Sequence, residues 1–330
     1  MKSSKPEIKR ILLCRLGGIG DVIHTLPLVK YLKSEFKNAS IEYLTSYDIA
    51  DLLVTACPYI DRVWGFDKKN KTKIASDILS NSKIDYFFNL HSSLSFFFFN
   101  LFYIKAKRFF QYKKDNNVHA VINFAKTYEP SISAFNLDSK TLFINQSKDI
   151  LSEFNLKENK FICFVPGVGR VRMHRGWPIE NWVSLTKNYL ERENDFKVVY
   201  LGGKDEERIV GFLPSIDNQT VNLIGKLSLF DNAKIISSAF ALVSCDTGLL
   251  HLASALSTKV IGLYGPTLPK RSGPFTSDYQ ILSVKNCSCI GIFKDIKKCK
   301  KTKDNYGYCM NKLTVNDVLS NITYNFVPAL

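Results

Sequence analysis

The chain has 330 residues, 45% hydrophobic and 23% charged, which excludes a disordered or fibrous polymer and predicts two globular domains rather than one. No run reaches the ~18 apolar residues needed to span a bilayer, and the N-terminal MKSSKPEIKR lacks the apolar segment of a signal peptide, so the expectation is a soluble, cytoplasmic protein. The formal net charge of +15 points to an anionic partner, either a nucleic acid, an acidic membrane surface or a phosphorylated substrate, with a merely solvated basic surface as the alternative. No helix-turn-helix, RRM or zinc-finger pattern accompanies the charge, so nucleic acid is not the expected partner.

The first predicted element is a strand over Lys9–Leu16 (KRILLCRL), a near-continuous apolar run of the kind found in parallel strands buried on both faces. A glycine loop, Gly17-Gly18-Ile19-Gly20, leads into a helix from Asp21 to about Phe36, which Pro27 should kink or restart. Strands at Ser40–Thr45, Val63–Phe66 and Ile84–Leu90 alternate with helices at Asp48–Ala56 and Lys68–Lys83. The aromatic run Phe96–Phe99, continued by Leu101-Phe102, reads either as a core helix or as an apolar surface for a lipid or acceptor. After a polar stretch ending in Asn155–Lys160, the alternation restarts at Phe161–Val165 and continues through Lys197–Leu201, Val221–Ile224 and Tyr279–Val284. Repeated β/α alternation predicts an α/β fold with parallel sheets, in two domains of residues 1–155 and 156–330. Ligands in such folds bind beyond the carboxyl ends of the strands.

Three loops carry candidate chemistry. Asp21 follows the first glycine loop, where a carboxylate can serve as a general base or simply cap the helix. Arg170, Arg172, His174 and Arg175 crowd the loop after Phe161–Val165, which suits a pyrophosphate or a solvated basic surface. Asp246-Thr247-Gly248 closes a strand and opens a helix whose free N–H groups suit a phosphate; Asp246 has the short acceptor expected of an N-cap, and His251 lies on the same helix face as Thr247. Asp205, Glu206 and Glu207 begin another helix, where one of them can accept from ribose hydroxyls or all can favour the helix start electrostatically. Of eight cysteines, Cys287, Cys289, Cys299 and Cys309 cluster late in the chain, leaving zinc ligation, reduced structural thiols and an oxidised pair all open.

Taken together, GDVIHTLP (Gly20–Pro27), the basic loop closing on Trp177-Pro178, LGGKDEER (Leu201–Arg208), NLIGKLSL (Asn222–Leu229) and SCDTGLLHLASAL (Ser244–Leu256) with YGPT (Tyr264–Thr267) resemble glycosyltransferase family 9, the bacterial heptosyltransferases of lipopolysaccharide core synthesis. The resemblance implies a GT-B architecture, two Rossmann-like domains facing across a cleft. The acceptor is then expected on the N-terminal domain and the nucleotide sugar on the C-terminal one, with the last helix packing back on the first. It implies an inverting transfer that needs neither cofactor nor metal, from an ADP-sugar donor to an anionic lipopolysaccharide precursor such as Kdo-lipid A. Asp21 matches the base, and Gly18 and Gly20 lie on the acceptor-side loop. Arg175 stands where relatives often carry lysine and, with Arg170, faces the donor phosphates. Asp246, Thr247, Gly248 and His251 match donor-site positions, and Glu206 the ribose contact. A membrane-bound anionic acceptor fits a basic protein peripheral to the cytoplasmic face of the inner membrane. The sequence departs from the family at Gly17-Gly18 and Gly169-Arg170-Val171, where relatives tend to carry hydroxyl residues. These departures leave open a different nucleotide sugar or acceptor, or a non-catalytic nucleotide- or lipid-binding protein.

Overall fold

The computed structural model describes residues 7–145, 147–284 and 307–323. Its chain divides into two compact units, residues 1–143 and 144–330. The division falls ahead of the expected 155/156 because the helix Lys148–Glu153 packs on the helix Leu229–Ser238 of the second unit, with Ser147 and Ser238 hydroxyls 2.9 Å apart.

The first unit holds a five-stranded parallel sheet of β1 (Arg10–Cys14), β2 (Ser40–Thr45), β3 (Arg62–Gly65), β4 (Tyr86–Asn89) and β5 (Arg108–Gln111), in the order β3-β2-β1-β4-β5. All five residues of the central β1 are buried, as a strand covered on both faces requires. Its one charged member, Arg10, is neutralised by a two-point pair with Glu42 on β2 (Nε–Oε1 2.6 Å, Nη2–Oε2 3.1 Å). Cross-strand rings add packing between β4 and β5, where Phe88 and Phe110 stack at 4.3 Å.

Two helices, Ile19–Ile23 and Leu26–Glu35, replace the single one expected after β1. Pro27 is the second residue of the latter, a position whose N–H has no intrahelical acceptor, so the proline restarts the helix rather than kinking it. The aromatic run is divided between the two roles it was expected to fill singly. Phe96 and Phe99 are buried with Ile74, Ile78 and Phe87, whereas Phe97, Phe98, Leu101 and Phe102 are exposed.

The second unit holds six parallel strands, β6 (Phe161–Val165), β7 (Lys197–Tyr200), β8 (Thr220–Asn222), β9 (Ala241–Cys245), β10 (Val260–Tyr264) and β11 (Tyr279–Ser283), in the order β11-β10-β9-β6-β7-β8. The described part of the last helix, Val315–Thr323, packs on the helix Ile179–Arg192 and on β11. Val318, Leu319 and Ile322 share one core cluster with Trp177 and Trp182 and so belong to the second unit's core. Trp177 Nε1 donates to Leu313 O at 2.9 Å and fixes the approach to that helix.

Both sheets are wound outward in two directions from a central pair, β1/β4 in the first unit and β6/β9 in the second. At such a reversal the connecting loops diverge to opposite faces and leave a crevice at the carboxyl ends of the two strands. Each candidate cluster lies at one of these two places.

Candidate functional site

In the first unit, β1 ends at Cys14 and the next residue, Arg15, turns its guanidinium along the end of β4. Its Nη1 donates to Leu90 O at 2.7 Å and its planar group lies over Phe124, 5.4 Å from the ring centre. The Nη2 pairs with Asp21 Oδ2 at 2.9 Å. Arg15 is largely buried, whereas the Asp21 side chain is 53% exposed. Gly17 makes this possible: its φ of 134° lies where side-chain-bearing residues are strained, and it folds the chain back so that Asp21 returns toward Arg15. Gly18 is the N-cap of the short helix and has ordinary φ, with open space where a Cβ would stand; Gly20 lies inside that helix. Asp21 sits in the first turn rather than at the cap, so its carboxylate is not consumed by capping. His91, just past β4, accepts from Leu16 N through Nε2 at 2.6 Å and stacks on Phe96. Burial and the Arg15 charge push its pKa down to about 4, against an upward pull from Asp21. The ring is therefore a neutral acceptor that holds the loop between Arg15 and Asp21.

In the second unit, β9 ends at Cys245 and the helix Gly248–Leu256 begins after it, with Thr247 as N-cap. The expectation that Asp246 caps this helix fails. Its carboxylate turns away to bind two other groups: Oδ1 lies 3.3 Å from His251 Nε2, and Oδ2 3.4 Å from Arg175 Nη1. The Asp246 side chain is 10% exposed. Burial by itself raises a carboxyl pKa, but His251 and Arg175 outweigh it and hold Asp246 below the usual carboxylate value. His251 is thus buried against Asp246 rather than directed from the helix surface. The Thr247 hydroxyl meets the Ser244 hydroxyl at 2.9 Å, leaving the helix's opening N–H groups without a side-chain cap.

Arg175 closes a short 3-10 segment, Arg170–Arg175, that is kinked at Arg172. Burial lowers its pKa; Asp246 opposes this, and the charges of Arg172 and Arg271 reinforce it. The guanidinium keeps its proton, so a cation paired with Asp246 stands here near Arg172 and Arg271. Its buried Nε–H has no protein acceptor among the described residues. Arg170 and Arg172 are exposed on the same segment.

Glu206 spans two loops. Its Oε1 accepts from Gly169 N at 2.7 Å and its Oε2 from Gly203 N at 2.9 Å, tying the ends of β6 and β7 together. The side chain passes so close to Gly167 that a Cβ there would stand 1.9 Å from Glu206 Cγ. Sequence reasoning singled out Glu206 but not this bracing role, which depends on two backbone N–H groups from different loops.

Arg15, His91 and Arg271 escaped the sequence reading. Arg15 reads as the polar end of an apolar strand, His91 lies 70 positions from Asp21, and Arg271 follows the YGPT segment with nothing to mark its neighbours. The cysteine cluster falls mostly outside the described residues, which include only Cys309, and that residue is buried. Among the described residues no group of three or more His, Cys, Asp or Glu side chains is arranged to hold a metal.

The arrangement provides two things: an exposed carboxylate beside an anchored arginine in one unit, and a cationic helix start suited to phosphate in the other. Comparison with known proteins gives the family and the fold. The family model for glycosyltransferase family 9 (heptosyltransferase) matches residues 106–303. Lipopolysaccharide heptosyltransferase 1 of Pseudomonas aeruginosa is 32% identical over 115 residues, which cover 35% of this chain and 31% of that relative, so the match spans about a third of the relative's length. The Escherichia coli ADP-heptose lipopolysaccharide heptosyltransferase II superposes with a TM-score of 0.77 at 18% identity, covering 96% of this chain and 98% of that one. The E. coli heptosyltransferase WaaC with ADP-2-deoxy-2-fluoro heptose gives 0.67 at 18% identity, covering 96% and 99%. These likenesses establish the GT-B fold class, two Rossmann-like α/β units, and the family match covers more than half of the residues: the chain belongs to glycosyltransferase family 9, the heptosyltransferase family.

Proposed function

We propose that the protein is an inverting glycosyltransferase of lipopolysaccharide core synthesis, moving a heptose from an ADP-sugar to an anionic inner-core acceptor such as Kdo-lipid A. The observation that carries the donor half is the partly buried Arg175 guanidinium, whose Nε–H has no acceptor among the described residues, beside the uncapped helix start at Thr247-Gly248. Together they supply fixed positive charge and oriented N–H donors, which a departing diphosphate requires. The WaaC structure with a fluorinated ADP-heptose supports an ADP-linked donor in this family.

In this reading the acceptor hydroxyl gives its proton to Asp21 while its oxygen attacks the anomeric carbon. The bond from that carbon to the diphosphate breaks, and the electron pair leaves with ADP. The configuration inverts because attack and departure occur on opposite faces. Arg15 orients Asp21 through a 2.9 Å pair. Arg175, aided by Arg170 and Arg172, bears the growing phosphate charge, so the step invokes no metal or cofactor. Asp246 and His251 keep Arg175 in place. Glu206 sets the loops around the nucleotide, with lone pairs left for a ribose hydroxyl. A lipid-linked acceptor puts the reaction at the cytoplasmic face of the inner membrane. Among the described residues no helix is long and apolar enough to cross that membrane.

The test has two parts. Thermal shifts with ADP-, GDP- and UDP-sugars should single out the ADP series, and transfer to Kdo-lipid A should follow. Stabilisation by GDP- or UDP-sugars instead would reassign the donor. Binding of ADP-heptose without turnover on any core acceptor would reduce the protein to a nucleotide-binding module.

A further inference from the structure

We infer that the face made by Leu94, Phe97, Phe98, Leu101 and Phe102 in the first unit is a docking surface for an anionic lipid bilayer. This goes beyond sugar transfer, does not rest on it, and is read by lipid binding alone.

The segment Ser95–Ile104 is an α-helical turn that runs into a π-helical one, closed by a Lys105 N to Asn100 O bond of 2.7 Å. It is apolar on two opposed sides. Phe96, Phe99 and Ile104 enter the core against Ile74, Ala75 and Ile78 of the helix Lys71–Leu79. On the other side Phe98 is 49%, Leu101 50% and Phe102 63% exposed, joined by Leu94 and Phe97. These five positions recur at three- and four-residue intervals, as one stripe of a helix does. Phe98 stacks on Phe102 at 6.2 Å and meets Phe97 edge-on at 5.5 Å, while Phe97 also touches the sheet, at Phe109. Isolated exposed apolar residues are ordinary; a contiguous group of large ones marks a contact surface.

The surrounding charge selects the occupant. Lys105 caps the π turn and is exposed. The helix packed against that turn opens with exposed Lys71 and Lys73, preceded by exposed Lys69. Of the nearby acids, Asp85 is buried and paired with Lys107 at 2.5 Å and Asp67 is turned to Lys69 N, which leaves Asp77 as the exposed exception. Aromatic rings ringed by lysine are the composition of an interfacial element: the rings enter the headgroup boundary and the lysines meet anionic headgroups. A second copy of this chain would place one lysine rim against another, which disfavours self-association.

Co-sedimentation of the full chain with vesicles tests this. The protein should pellet with an equimolar phosphatidylglycerol–phosphatidylcholine mixture, and much less with phosphatidylcholine alone. Phe98→Ser with Phe102→Ser should lower the affinity at least about tenfold while leaving the melting temperature near that of the parent, since both rings are exposed. Lys71→Gln, Lys73→Gln and Lys105→Gln should each weaken binding about fivefold and flatten its salt dependence. Equal binding to neutral vesicles, or binding indifferent to the ring variants, would overturn the proposal. So would a concentration-dependent dimer abolished by those variants without any vesicle binding, which would assign the face to a second copy.

Discussion

Each unit carries an arginine, an aspartate and a histidine at the carboxyl ends of its central strands, and the two trios are wired differently. In the first, Arg15 is buried and anchored, Asp21 stands half in solvent, and His91 bonds to backbone instead of to the carboxylate. In the second, Asp246 and His251 are both enclosed, and Asp246 holds both Arg175 and His251. Which residue is buried decides what each trio can do. A solvent-facing carboxylate with one arginine contact can still accept a proton from a substrate. A carboxylate enclosed by two partners cannot do so without breaking them, and serves to position a cation. The residue types are the same in the two trios; exposure separates a chemical group from a supporting one.

The largest expected effect breaks the comparison on the first side. Asp21→Ala should lower transfer about 10²- to 10⁴-fold, the usual value of a positioned base. Its stability should change by less than about 1 kcal/mol, because exposed ion pairs contribute little. ADP-sugar binding should persist, since the groups proposed to hold the donor lie in the other unit. A parallel loss of ADP affinity by calorimetry would remove the base assignment.

Asp246→Ala should behave in the opposite way. It removes the carboxylate that Arg175 and His251 share from a largely enclosed place, at a cost of about 3–5 kcal/mol. A denaturant midpoint should fall sharply and ADP affinity should fall with it, whatever acceptor is supplied. If stability held while only turnover fell, Asp246 would belong to the chemistry and the contrast between the trios would be lost. Because its pKa is depressed, the Asp246 contribution is fully present above about pH 4 and is lost as pH falls further, through the folded value.

Much of this was legible in the sequence, and what was not has a common cause. Continuous apolar runs such as RILLC and FICFV announce parallel strands buried on both faces, and the turns after Cys14 and Cys245 announce where ligands meet them. Local rules failed where a residue had two local options and a distant partner chose between them. Asp246 has the side chain of an N-cap, but Arg175, 71 positions earlier, and His251 claim it. Glu206 looks like a favourable charge in a first turn, but the Gly169 and Gly203 N–H groups bind it from two loops. Phe96 and Phe98 are indistinguishable by composition; only the packing of the helix Lys71–Leu79 makes one core and the other surface.

Gly167→Ala sharpens the account of the second unit with a smaller change. The new Cβ would fall 1.9 Å from Glu206 Cγ, well inside contact distance and near the root of the side chain, where a terminal rotation cannot relieve it. Glu206 must move and release at least one of its two N–H donors. The cost should be about 1–3 kcal/mol, with weaker ADP binding. Glu206→Gln, which retains the shape and one acceptor oxygen, should lose less than Gly167→Ala does.

The smallest effect concerns His91 and distinguishes the histidines by pH. Its folded pKa of about 4 lies below the ordinary 6.5, so the unfolded chain takes up a proton that the folded one refuses. The neutral ring therefore stabilises the fold fully above about pH 6.5, and that stability is lost as pH falls toward 4. Between pH 7 and 5 linkage puts the loss at about 2 kcal/mol. His91→Gln, which does not titrate but can still accept from Leu16 N, should flatten the stability slope in that window. The remaining slope contains His174, whose pKa burial also lowers, so the difference between variant and parent is the quantity to measure. An unchanged slope would mean that His91 titrates alike in the folded and unfolded chain, so that its acceptor bond to Leu16 N would not be what holds the loop returning Asp21 to Arg15.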